Sequence, residues 1–182
     1  MLRMKKRVLE TRKLTLLALL IALVVVFTRF LSYEDQFLRI SFTFIPESVM
    51  GVLFGPLWTG IGSAIADAVG VILFPKTGAY FPGFTLNAII TGGIYGFFYY
   101  RKELTWLRVF IATLLVTGIV HLFLTPLWLG LMYGVDLANI AWWIPRIIKN
   151  SIFFPVQVVG TYLIGTKLPY KQFLSKLTTS YK

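Results

Sequence analysis

The chain has 182 residues, 57% of them hydrophobic and 14% charged, against roughly 25% charged in an ordinary soluble domain. A soluble fold of this length could not hide that much apolar surface, and the absence of cysteine excludes disulfides, thiolate metal sites and thiol nucleophiles. The net charge of +11 could suggest nucleic acid, but in an apolar chain Lys and Arg collect on the cytoplasmic side of a membrane, so no nucleic-acid partner is expected.

A membrane-spanning helix needs roughly 20 apolar residues. The length therefore allows six or seven spans, organised as a single transmembrane domain over residues 1–182. Apolar runs and their breaks predict six segments at 14–31, 42–56, 58–74, 84–100, 106–132 and 140–165. The first run has a basic flank like that of a signal peptide but no small-residue cleavage site before Arg29, so it is read as a retained helix. It carries Ala18 and Ala22, small residues four apart that let another helix approach closely. Arg29, near its outer end, could snorkel to the interface or meet a ligand.

The second segment opens with Glu47 after Pro46. A carboxylate in a first helical turn suits the helix dipole, so capping and ligand binding stay open. Gly55, Pro56 and Gly60 then permit only a tight turn or a kink before segment three. Asp67 lies inside that segment, where translocon scales put the cost of a charge at roughly 2.5–3.5 kcal/mol. It needs a partner or a watery cavity. A structural pair with Arg29 or Arg146 is one solution, and ligand contact is the preferred one.

The stretch from Phe74 to Gly83 is rich in Pro and Gly and is expected to be irregular. It holds Lys76, and beside it cluster Tyr80, Phe81 and Phe84, which could stack a flat ligand. Segment five contains His121, the only histidine. With no second histidine and no cysteine, no metal site is expected, and His121 reads as a packing residue. In segment six, Arg146, Lys149, Asn150 and Phe153 share one helical face, extended one turn by Gln157. Interfacial anchoring with Trp142 and Trp143 would explain the bases. It would not explain Asn150, whose amide wants a hydrogen-bond partner.

Orientation follows from charge. Thirteen of the 18 basic residues fall in the N-terminal flank (Arg3, Lys5, Lys6, Arg7, Arg12, Lys13), the loop after segment four (Arg101, Lys102, Arg108) and the tail (Lys167, Lys171, Lys176, Lys182). Six helices put these regions on one face, which the positive-inside rule makes cytoplasmic. The expected fold is thus an all-α membrane protein, a compact bundle of six transmembrane helices with both termini cytoplasmic. Arg29, Arg39, Lys76, Arg146 and Lys149 are left near the outer ends, together with Glu34, Asp35, Glu47, Asp67 and Asp136.

These features coincide in one family. With Ala18–Ala22 in the first helix and the stretch IPESVMGVLFGPLWTGIGSAIADAVG, the chain resembles the S components, the substrate-binding subunits of energy-coupling factor (ECF) importers. FPKTGAYFPGFTLNAIITGGIYG looks like the folate-specific subfamily. The resemblance covers nearly the whole chain. It implies a non-enzymatic subunit of the bacterial plasma membrane that needs no cofactor, has no catalytic residues and captures its vitamin from outside. It also implies docking through Ala18 and Ala22 onto a transmembrane coupling protein carried by two cytoplasmic ATPases, whose ATP hydrolysis topples the subunit in the lipid bilayer. The chain itself has no G-x-x-x-x-G-K-[ST] phosphate loop. Folate suits the charges: Asp67 or Glu47 could accept the adjacent N–H donors of its pterin, and some of Arg29, Arg39, Lys76, Arg146 and Lys149 could hold its two tail carboxylates. Two other readings stay open. An S component for pantothenate or a queuosine precursor would leave several bases unexplained. A small membrane enzyme would need an acid–base or nucleophile constellation that this sequence does not offer.

Overall fold

The computed structural model describes residues 2–34, 39–75, 80–134 and 139–167. Asp35, Lys76, Asp136 and the tail bases Lys171, Lys176 and Lys182 lie outside the described residues. In hydrocarbon each backbone polar group must be satisfied within its own segment, and the described chain is mostly helical. In order it forms α1 (Leu2–Arg29), β1 (Ser32–Glu34), β2 (Arg39–Ser41), α2 (Phe44–Leu73), α3 (Pro82–Tyr99), α4 (Trp106–Leu115), a π-helical stretch (Val116–Leu124), α5 (Thr125–Tyr133), a short 3-10 turn (Ile140–Trp142) and α6 (Ile144–Lys167).

Four helical stretches are long and apolar enough to cross a membrane: Thr11–Arg29, Phe44–Leu73, Trp106–Tyr133 and Ile144–Lys167. Expected segments two and three are joined as α2, which breaks at Gly55. There φ is 79° and ψ is −179°, a combination essentially restricted to glycine, and Pro56 follows without an N–H to continue the helix. The halves turn back on each other. Met50 Sδ lies 2.8 Å from where a Cβ on Gly62 would stand, although a straight helix would hold these residues roughly 18 Å apart. Helix α3 packs so closely on the second half that a Cβ on Gly92 would meet the Thr59 carbonyl oxygen at 2.7 Å.

Several expectations need correction. The fold is not wholly α: β1 and β2 pair antiparallel, Ser32 with Ser41 and Glu34 with Arg39. Ser41 Oγ donates to the Phe27 carbonyl at 3.1 Å and accepts from the Thr43 amide at 3.3 Å, which ties the hairpin to the end of α1. Helix α1 begins well before Leu14, and α6 begins at Ile144 rather than 140. Pro82 and Gly83 open α3 instead of belonging to the preceding loop, because proline's fixed φ suits a first helical turn. Segment five is continuous but turns π over nine residues. Pro126 supplies no N–H and crowds the preceding turn. Thr125 gives both its amide and its hydroxyl, the latter at 2.7 Å, to the Val120 carbonyl five residues back.

The packing is inverted relative to a soluble protein. Leu57, Ile72, Phe97, Leu107, Phe123 and Leu131 face outward, each more than 60% exposed. Inside, one apolar cluster joins Leu17, Leu20, Val24, Val25, Met50 and Ala66. A second joins Phe44, Val52, Tyr95, Tyr99, Val109, Val116 and Val158. Buried beside them are Arg29, Glu47, Asn87, Arg146, Asn150 and Gln157. This distribution is stable where hydrocarbon solvates the exterior.

Candidate functional site

The polar interior borders a cavity of about 260 Å³. Its walls come from the last turns of α1, both halves of α2, α3 as far as Tyr95, the π stretch with α5, and α6 as far as Gln157, with Arg39 and Ser41 added by β2. The reversal at Gly55 brings Glu47, from one half of α2, to the same cavity as Ser63 and Asp67, from the other.

Arg29, Glu47, Asp67, Tyr80, Phe81, Phe84, Arg146, Lys149, Asn150 and Gln157 all line this cavity. Lys76, the remaining expected residue, lies outside the described residues. Arg29 is buried rather than snorkelling outward, with its Nε 2.9 Å from where a Cβ on Gly70 would be. Glu47 sits in the first turn of α2, but its side chain is buried on the cavity wall. Asp67 accepts a hydrogen bond from the Thr85 hydroxyl at 2.8 Å, and Thr85 lies 3.0 Å from the Tyr80 hydroxyl.

On α6, Arg146 Nη1 donates to the Trp142 carbonyl at 2.8 Å. Its guanidinium lies 3.7 Å from the centre of the Trp142 ring, a cation–π distance. Arg146 thus lines the cavity while resting on Trp142. Phe81 packs edge-on against Phe84 and tilts against Trp128, with centroids 6.0 and 5.8 Å apart. Ala18 and Ala22 are exposed on α1, on the N-terminal side of the lining residues Val24, Thr28 and Arg29.

The described charged lining comprises four bases (Arg29, Arg39, Arg146 and Lys149) and two acids (Glu47 and Asp67). Such a wall favours an anionic ligand that also presents N–H donors. Arg39, which sequence reasoning offered among the bases for the ligand's tail, lines the cavity, and so does His121, which it read as a packing residue. Sequence reasoning missed Asn87, which donates to Thr125 Oγ1 at 3.1 Å and accepts from Trp128 Nε1 at 3.0 Å. The rule that singled out Asn150, an amide within a helix, applies equally to Asn87. Ser63 and Tyr95, also in the lining, gave no comparable signal.

Comparison with known proteins adds an independent line. Residues 12–165 match the family described as ECF transporter, substrate-specific component. The chain is 41% identical over 146 residues to the folate transporter FolT of Clostridium novyi, covering 80% of this chain and 83% of that protein. It is 39% identical over 160 residues to the folate transporter FolT of Leuconostoc mesenteroides, covering 86% and 85% respectively. A solved structure described as "Crystal structure of FolT bound with folic acid" superposes with a TM-score of 0.84 at 63% identity, covering 88% of this chain and 95% of that one. Its relatives are named as transporters rather than enzymes, and its helices suit a multi-pass protein of the cell membrane. This chain belongs to the substrate-specific components of ECF transporters.

Proposed function

We propose that the chain captures folate from outside the cell and delivers it for import with an ECF coupling module. The observation that carries this reading is the cavity wall, in which four bases and two carboxylates surround one space of about 260 Å³. The relatives named as folate transporters support the same ligand. Folate has a flat pterin with adjacent N–H donors at one end and a glutamate with two carboxylates at the other. Asp67 or Glu47 reads the pterin edge through paired charge-assisted hydrogen bonds. Tyr80, Phe81 and Phe84 offer it aromatic faces. Arg29, Arg146 and Lys149, with Arg39 and Lys76, hold the glutamate carboxylates, and Asn150 and Gln157 supply neutral hydrogen bonds to the remaining polar atoms.

In this reading the chain crosses the membrane six times, with the two halves of α2 counted separately. Both termini and the Arg101–Lys102 turn are cytoplasmic, and the cavity opens outward. Ala18 and Ala22 are the contact for a transmembrane coupling protein that works with two ATPases. The exposed, small-residue face of α1 supports this. Toppling of the loaded subunit then presents the cavity to the cytoplasm. Titration calorimetry of the purified chain with folic acid and with pantothenate tests the ligand. Tight binding of folic acid alone is expected, and preference for pantothenate would transfer the reading to another vitamin.

A further inference from the structure

Thr85 is absent from the cavity lining, yet it makes the hydrogen bond that the described residues give Asp67. A threonine hydroxyl has one proton. Because Thr85 donates that proton to Asp67 Oδ2 at 2.8 Å, the 3.0 Å contact with Tyr80 can only be a donation from the phenol. The chain therefore has a direction, from the Tyr80 hydroxyl through the Thr85 hydroxyl to the Asp67 carboxylate. It runs from the approach to α3, through the first turn of that helix, to the second half of α2.

We propose that Thr85 is a positioning residue for ligand recognition. It occupies Oδ2 and fixes the plane of the Asp67 carboxylate, a lining residue of the cavity, and so keeps Oδ1 available to the ligand. Tyr80 polarises Thr85 and is itself part of the wall, so a flat ligand that settles on the Tyr80 ring meets a carboxylate already aligned. This rests on the reading of Asp67 as the acceptor for the ligand's ring N–H groups. An unheld aspartate would have to lose rotational freedom on binding, and preorganisation removes that cost from the affinity.

The test is a double-mutant cycle on the purified full-length chain, with folic acid as titrant and the melting temperature of the ligand-free protein as a folding control. Thr85→Val keeps the shape and removes the hydroxyl. It should weaken binding about tenfold, the scale of a charge-assisted hydrogen bond, while Thr85→Ser restores binding to within about twofold. In an Asp67→Asn background, Thr85→Val should add less than about twofold, because the group it positions has lost its charge. Equal losses in both backgrounds, or no loss in the parent, would overturn the positioning role while leaving Asp67 as a ligand contact. Parent-like affinity of Asp67→Asn would remove both that contact and the inference built on it. Should Thr85→Val fail to fold, Tyr80→Phe carries the same cycle: it should weaken binding in the parent and not in Asp67→Asn, and an equal effect in both overturns the proposal.

Discussion

Arg29, Glu47 and Arg146 are charged side chains buried inside an apolar helical bundle. Taking such groups out of water is costly, and they converge with Arg39, Lys149 and Asp67 on one cavity, a charged wall suited to an ionic ligand. Removing one partner of a desolvated pair costs on the order of 2–5 kcal/mol. Arg29→Ala and Arg146→Ala should therefore weaken folic acid binding by roughly that amount. Both should leave the binding of a pterin lacking the glutamate almost unchanged. Asp67→Asn should weaken both ligands. Calorimetry with the two ligands separates these outcomes, and equal losses on either ligand for Arg146→Ala would remove that residue from the tail site. These residues were legible in the sequence because an ionisable group in an apolar run stands out against its cost. Thr85 and Ser63 were not, because a hydroxyl in a helix can satisfy itself on its own backbone, as Thr59 does on the Gly55 carbonyl at 2.7 Å.

At the scale of elements, the reversal within α2 places two carboxylates from one helical stretch in one cavity, and it depends on Gly55. A side chain there would force a glycine-only conformation, and its Cβ would press on the Tyr100 ring at 3.1 Å. Gly55→Ala should lower stability by about 1–3 kcal/mol, read as a lower melting temperature in detergent. An unchanged melting temperature would mean that the turn tolerates a Cβ. On α1, Ala18→Trp with Ala22→Trp should abolish assembly with the coupling protein, since bulk forces closely packed helices apart. Folic acid affinity should be unchanged. Retained transport in that variant would deny the face a docking role. Gly55–Pro56 announced the break from the sequence, since both residues interrupt a helix. The hairpin of β1 and β2 was not legible, because three-residue strands are too short to show a period of two. Thr125–Pro126 marks the end of the π stretch, but its widened turns depend on which carbonyl Thr125 reaches, and residue spacing does not encode that choice.

At the scale of the whole molecule, apolar side chains outside and ionisable groups inside follow from the composition once the solvent is taken to be lipid. Charge asymmetry adds the direction. With no native cysteine in the chain, single-cysteine labelling can test it. Lys102→Cys and Lys182→Cys should react with a membrane-impermeant reagent only after the cell membrane is opened, and labelling of either in intact cells would reverse the orientation. The central claim is that four bases and two carboxylates around one cavity form a folate site. Calorimetric titration of the purified chain with folic acid, at low and high salt, tests it most directly. The account predicts one-to-one binding tighter than micromolar. Screening of exposed charges should weaken it only modestly, because the pairs it forms are buried. No detectable binding at micromolar folic acid would contradict the account.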